Sequence, residues 1–214
     1  MIGSDQLAAE LGYLPVTLAQ AAAYMADQDM TCADYHALFT SRRRTLLELA
    51  PDSMPDDYTR PVAVTLSLSV GVADQLAPVG LARPLLTLLA LLDPNGIPFD
   101  FITTGIPFDF ITTPAVRDYL ANCGTTRNGM EKVDVEHARS ALASLYRLNL
   151  ANTTQDDAWR VIRVHALVQR AVRDETPPEN LSATIDAAAK GLLQTWPEVE
   201  REISVGQTMR ANAD

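Results

Sequence analysis

The chain has 214 residues, 47% of them hydrophobic and 21% charged, which supplies apolar material for one or two packed cores and excludes wholesale disorder. A formal net charge of −10 opposes attraction to nucleic-acid phosphates or anionic lipid, so DNA is a disfavoured partner. Only 6% of the residues are aromatic while Ala and Leu abound, which points to a mainly α fold built on aliphatic helix faces.

The start, Met1-Ile-Gly-Ser-Asp5, has no basic segment leading into an apolar one, and the greasiest stretch, residues 81–92, is short and broken by Arg83 and Pro84. A cytoplasmic chain without a membrane span is expected. Cys32 and Cys123 have no His or Cys at metal-ligand spacing and read as reduced thiols, with one disulfide between them left open.

In chain order, residues 4–12 and 15–28 read as two helices parted at Gly12, with Leu7, Leu11, Leu14, Leu18, Ala22 and Met25 close to helical spacing. Thr31 can cap the next helix, whose inner face is Tyr35, Leu38, Phe39, Leu46 and Leu47. Arg42, Arg43 and Arg44 read as a solvated face, an interaction patch being the weaker reading. Pro51, Pro55, Asp56 and Asp57 mark a loop. Residues 62–76 then read as a helix, although β-branched residues leave a strand reading open. Pro78 and Gly80 separate it from a helix at 81–92 that stops at Asp93-Pro94-Asn95-Gly96. This places a boundary at 76–80, between a helical bundle at 1–76 and a second unit at 80–175.

Gly96-Ile-Pro-Phe-Asp-Phe-Ile-Thr-Thr104 is repeated unchanged as residues 105–113. Solenoid repeats are longer and diverge, so a perfect tandem copy across 96–113 reads as a recent duplication or an artefact. One copy is expected to fill the native slot and the other to extend the connection as a surface loop.

Thr113-Pro114 starts a short helix ending at Gly124, and Asp134 starts another through Leu148 with Ala138, Leu142, Leu145 and Leu148 as its stripe. Residues 149–153 and 158–164 flank Thr154-Gln-Asp-Asp157 as a β-hairpin, and a helix from His165 to Asp174 closes the unit. Helices followed by a two-stranded wing and a helix form the pattern of a winged helix. Pro177-Pro178 makes a linker before a last helix marked by Leu181, Ile185, Ala188, Leu192 and Leu193. Residues 177–214 read as that linker and the start of a further, repeat-like helical region.

The sequence has no phosphate-binding Gly-rich loop ending in Lys-Ser/Thr, no dinucleotide fingerprint, no His-Glu-x-x-His, no paired cysteines and no nucleophile elbow. Neither a catalytic centre nor a metal site is expected. His36 and His137 lack a second ligand at helical spacing and read as surface or half-buried residues. His165 stands where an alternating segment passes into a helix, and an imidazole at such a terminus can help hold a phosphate. The competing reading is a partly buried histidine satisfied by backbone.

Three stretches carry a family resemblance. Gly12-Tyr-Leu-Pro-Val-Thr-Leu-Ala19 is similar to the Gly-Leu-Pro-Leu-Ala-Leu motif of the NB-ARC class of STAND signalling ATPases, and Val164-His-Ala166 stands where that class has Met-His-Asp. Residues 81–96 are similar to the winged-helix opening of its actinobacterial, tetratricopeptide-repeat-associated members. The resemblance implies that Pro15 lies against the nucleotide base and His165 reaches the β-phosphate of bound ADP. It also implies that a P-loop domain upstream supplies the rest of the site and that a repeat domain follows. ADP or ATP would bind only together with the P-loop domain, this chain alone would turn over no ATP, and activation would bring self-association. Two departures bear on the strength of the off state: Tyr13 stands before Leu14 where glycine is usual, and Ala166 replaces the aspartate. The competing functions are a winged-helix DNA-binding regulator, reading a major groove with its 134–148 helix, and a structural helical adaptor.

Overall fold

The computed structural model describes residues 3–49, 59–92, 97–101, 110–128, 132–156, 159–196, 210 and 212. It is mainly helical, with a small antiparallel sheet. The N-terminal half holds α1 (Ser4–Glu10), α2 (Pro15–Asp27), α3 (Cys32–Leu49) and α4 (Thr59–Ala73). α1 closes in a Schellman turn, in which Gly12 N–H bonds Ala9 O and Tyr13 N–H bonds Ala8 O, both at 3.0 Å. The buried Thr17 hydroxyl, 2.7 Å from Leu11 O and 2.9 Å from Leu14 O, ties that turn to α2. At α3, Asp34 N–H donates to Thr31 Oγ1 and Thr31 N–H donates to Asp34 Oδ2, both at 3.2 Å, which is the reciprocal cap expected of Thr31.

Tyr35 and Phe39 are fully buried in a small core with Leu7, Leu11, Ala21, Tyr24 and Val64, the Tyr24 and Tyr35 rings meeting edge-on at 5.4 Å. α4 serves two cores at once. Val64 enters the small one, while Val62, Leu66, Val70 and Ala73 enter a larger one. Burial on more than one face explains why this β-branched run is a helix and not a strand, since packing outweighs the few tenths of a kcal/mol of propensity per residue, about 0.5.

The segment after α4 is pinned by one aspartate. Asp74 Oδ1 accepts the Arg83 backbone N–H at 3.0 Å, and its own carbonyl accepts Gly80 N–H at 2.8 Å. This fixes the start of α5 (Ala82–Leu89), whose Leu85, Leu86, Leu88 and Leu89 are buried. The larger core runs without a break from Val16 and α4 through α5 to the C-terminal half.

That half contains α6 (Pro114–Asn128), α7 (Val135–Arg147), β2 (Asn152–Asp156), β3 (Trp159–Arg163), α8 (Ala166–Glu175) and α9 (Pro178–Thr195). Asp134 caps α7 by accepting His137 N–H at 2.8 Å, and His137 Nδ1 accepts Asp134 N–H in return at 3.4 Å. His137 thus completes a capping box. Asn149, at φ 52, ends the same helix in a second Schellman turn through Leu150 N–H to Leu145 O. Two helix ends differ from expectation. α6 passes through Gly124, because an interior glycine costs only about 1 kcal/mol against alanine. α9 begins at Pro178 itself, proline being suited to a first helical turn.

The wing is larger than a hairpin. One nonapeptide copy is expected to extend the connection as a surface loop; instead the first copy supplies β1 (Ile97–Phe101), which pairs antiparallel with β3 to give the order β1-β3-β2. It satisfies the free edge of β3. Pro98, which has no N–H to donate, suits an outer strand, and the register slips between Pro98 and Asp100. The second copy enters the core instead: Phe110–Thr112 is a 3-10 turn with Phe110 and Ile111 fully buried, and Thr113 caps α6.

A side chain bridges the two halves: Arg147 at the end of α7 donates its Nε to Asp27 at the end of α2, and Gln28 Nε2 donates to the same aspartate. Cys32 and Cys123 are not joined in a disulfide. Among the described residues no helix is long and apolar enough to cross a membrane.

Gly191 lies in α9 directly under Phe110, where an added Cβ would stand 2.7 Å from Phe110 Cε2 and 3.0 Å from Val116 Cγ2. Helix propensity favours alanine by about 1 kcal/mol, but overpacking costs about 1–3 kcal/mol. Gly191→Ala is therefore expected to lower the thermal midpoint, and Phe110→Leu in the same chain to restore part of the loss; a rise on Gly191→Ala alone would contradict this packing.

Candidate functional site

Pro15 occupies the first position of α2 and is exposed. Leu14, the N-cap, makes no side-chain hydrogen bond to the helix, so this terminus carries no internal cap. The approach to it is set by consecutive left-handed residues, Gly12 at φ 70 and Tyr13 at φ 52. A side chain at Tyr13 crowds its own backbone there, which is the physical ground for a glycine at this position. The residue is 65% exposed, so packing does not repay the conformation.

His165 is the N-cap of α8, and its Nδ1 accepts the Leu167 N–H at 3.2 Å. The residue is exposed. Because Nδ1 acts as acceptor, the neutral ring carries its proton on Nε2, leaving an N–H donor free of the cap. The bond also fixes the ring plane. Ala166 follows in the first turn, also exposed.

The neighbours of the two residues, Val16 and Val164, enter the same core. Both α2 and α8 pack on α4. Neither Pro15 nor His165 lines the groove of about 1010 Å³ that opens between α4–α5 and α6, α8 and α9. That groove has an apolar base including Leu66, Val70, Leu86 and Val172, and a polar rim including Asp118, Glu175, Glu179 and Lys190. Sequence reasoning missed it, since its walls come from segments far apart in the chain.

Burial pushes the Tyr119 hydroxyl in this groove well above the ordinary tyrosine range, opposed by its hydrogen bond with Thr184 at 3.0 Å. Glu175 is exposed as a residue, yet partial burial of its carboxyl raises it above the ordinary glutamate range; Arg83 and Arg42 offset part of that rise and Asp174 adds to it. Elsewhere, His36 Nε2 meets Glu10 Oε1 at 2.8 Å between α3 and α1. Arg43 reaches Glu10 at 3.9 Å and Arg42 donates to Ser67 Oγ at 2.6 Å, so two members of the arginine run are engaged within the fold. Among the described residues no group of three or more His, Cys, Asp or Glu side chains could hold a metal ion.

Comparison with known proteins adds no relative: no family model, no curated protein and no solved structure matches the chain.

Two outcomes follow. Tyr13→Gly should stabilise the fold by about 0.5–1 kcal/mol in denaturant unfolding, the relief of the left-handed conformation outweighing the added chain entropy, whereas Tyr13→Ala should gain nothing. For Glu175, a folded-state value raised above the unfolded one means that ionisation opposes folding. The penalty is absent in acid and grows as pH rises from the ordinary glutamate range, about 4.3, toward the raised folded value. Glu175→Gln should therefore raise the melting temperature near pH 7 and lose that advantage below about pH 4.

Proposed function

We propose that the chain is the regulatory part of a nucleotide-controlled switch of the NB-ARC type, presenting Pro15 and His165 to an ADP or ATP held mainly by a P-loop domain. In this reading the chain supplies the lid of the site and no catalytic group. The base meets Pro15 and the β-phosphate meets His165; exchange of ADP for ATP removes the histidine contact and releases the winged-helix part.

The observation that carries the reading is the state of His165: an exposed imidazole at a helix N-terminus, with Nδ1 used by the cap and Nε2–H available to an anion. The left-handed geometry at Tyr13 supports it from the other motif, because the glycine usual there in that class is the residue this backbone favours. The DNA-reading alternative is weakened by α7, where Arg139 pairs with Glu136 at 3.7 Å and Arg147 with Asp27, leaving few cations for phosphates.

The test separates capping from ligand binding. In the protein joining the P-loop domain to this chain, His165→Asn keeps a good N-cap while removing Nε2–H, and His165→Ala removes both. ADP release should quicken in both variants, but only His165→Ala should lose about 1 kcal/mol of stability. If His165→Asn releases ADP at the parent rate, the phosphate role is wrong.

A further inference from the structure

The groove beside α5 carries an unbalanced rim. Of its charged residues, Asp74 stands 4.0 Å from Arg83 and Asp186 bonds Lys190 at 2.6 Å, so the two cations are already engaged. The side chains of Asp118 on α6, Glu175 at the end of α8 and Glu179 in the first turn of α9 make no hydrogen bond or close ion pair with another described residue, although Arg83 and Arg42 act on the Glu175 carboxyl from farther away. Between these carboxylates the base is apolar, with Leu66, Val70, Leu86 and Ala187 all buried.

We propose that this groove receives a Lys/Arg-bearing peptide segment of a partner protein, its aliphatic stems lying over the apolar base and its cations meeting Asp118, Glu175 and Glu179. Lysine and arginine are the side chains that combine a long apolar stem with a charged tip, which is the complement of an apolar floor under an acidic rim. An anionic or purely apolar segment would leave the three carboxylates crowded by like charge or stripped of water, at a cost that such a segment cannot offset. Burial raises the Glu175 carboxyl and the Arg83 and Arg42 charges offset only part of that rise, so a further cation docked there would favour its ionised form. The overall charge of −10 steers such a segment to the protein, while the local rim gives it a place to dock.

The experiment is fluorescence anisotropy of a labelled peptide in which lysine alternates with leucine and alanine, titrated with the full chain at low ionic strength. Saturable binding is expected, weakened about tenfold or more in the Asp118→Asn, Glu175→Gln, Glu179→Gln triple variant. A control triple, Asp5→Asn, Asp29→Asn, Glu48→Gln, removes the same formal charge from exposed positions outside the groove and should change affinity less than about twofold. Circular dichroism confirms that both triples keep the helical fold. Equal losses in the two triples would reduce the effect to net charge and overturn the proposal, as would an unaffected groove triple or a glutamate-substituted peptide that binds as well. Complete displacement by spermine at matched charge would assign the groove to a free polyamine, again overturning the peptide.

Discussion

The double burial of α4 is the constraint on which the rest of the molecule depends. A helix usually buries one stripe, but here Val64 is taken into the aromatic core of α1–α3 while Val62, Leu66 and Val70 form one wall of the larger core shared with α5, α7 and α8. The two halves are therefore joined by packed side chains. Asp74 extends the same constraint beyond the end of α4, holding both Gly80 and Arg83 by their backbone N–H groups, so the connection read from the sequence as a boundary is bonded in place.

This arrangement bears on how a switch could work. Close-packed interiors transmit displacement because their atoms have little free volume to move into. The residue after Pro15 and the residue before His165 touch one continuous core, so a ligand that biases one terminus acts on elements shared with the other. The Asp27–Arg147 pair adds a second tie at the far ends of α2 and α7. In the proposed switch, release of the winged-helix part requires breaking that pair, and the competing attraction for Arg147 must come from solvent or from a new acidic partner.

Local chemistry made much of the fold legible. Gly12, Thr31, Asp134 and His165 were marked by residue types whose capping role depends only on a few neighbours, and each stands at a helix boundary. Non-local features escaped. Arg147 and Asp27 are 120 residues apart, and nothing beside either one announces the other. The groove is likewise assembled from five helices whose separate patterns do not encode its shape. β1 was missed for a different reason: a segment with proline at its second position reads poorly as a strand until the free edge of β3 is known. Even His165, correctly placed at a terminus, concealed which ring nitrogen would remain free, because that is decided by the position of the Leu167 N–H.

The duplicated nonapeptide shows how little a short sequence determines alone. Phe101 and Phe110 occupy the same place in identical copies, yet one ends a strand and the other fills the hollow above Gly191. Their local preferences are the same, so the difference must come from tethering. Phe110 is held three residues from the cap of α6, whereas Phe101 follows the stop of α5 and reaches β3 first. Chain connectivity has broken a symmetry that side-chain chemistry left intact, and the spare copy has become an outer strand that covers β3 and keeps it from pairing with another molecule.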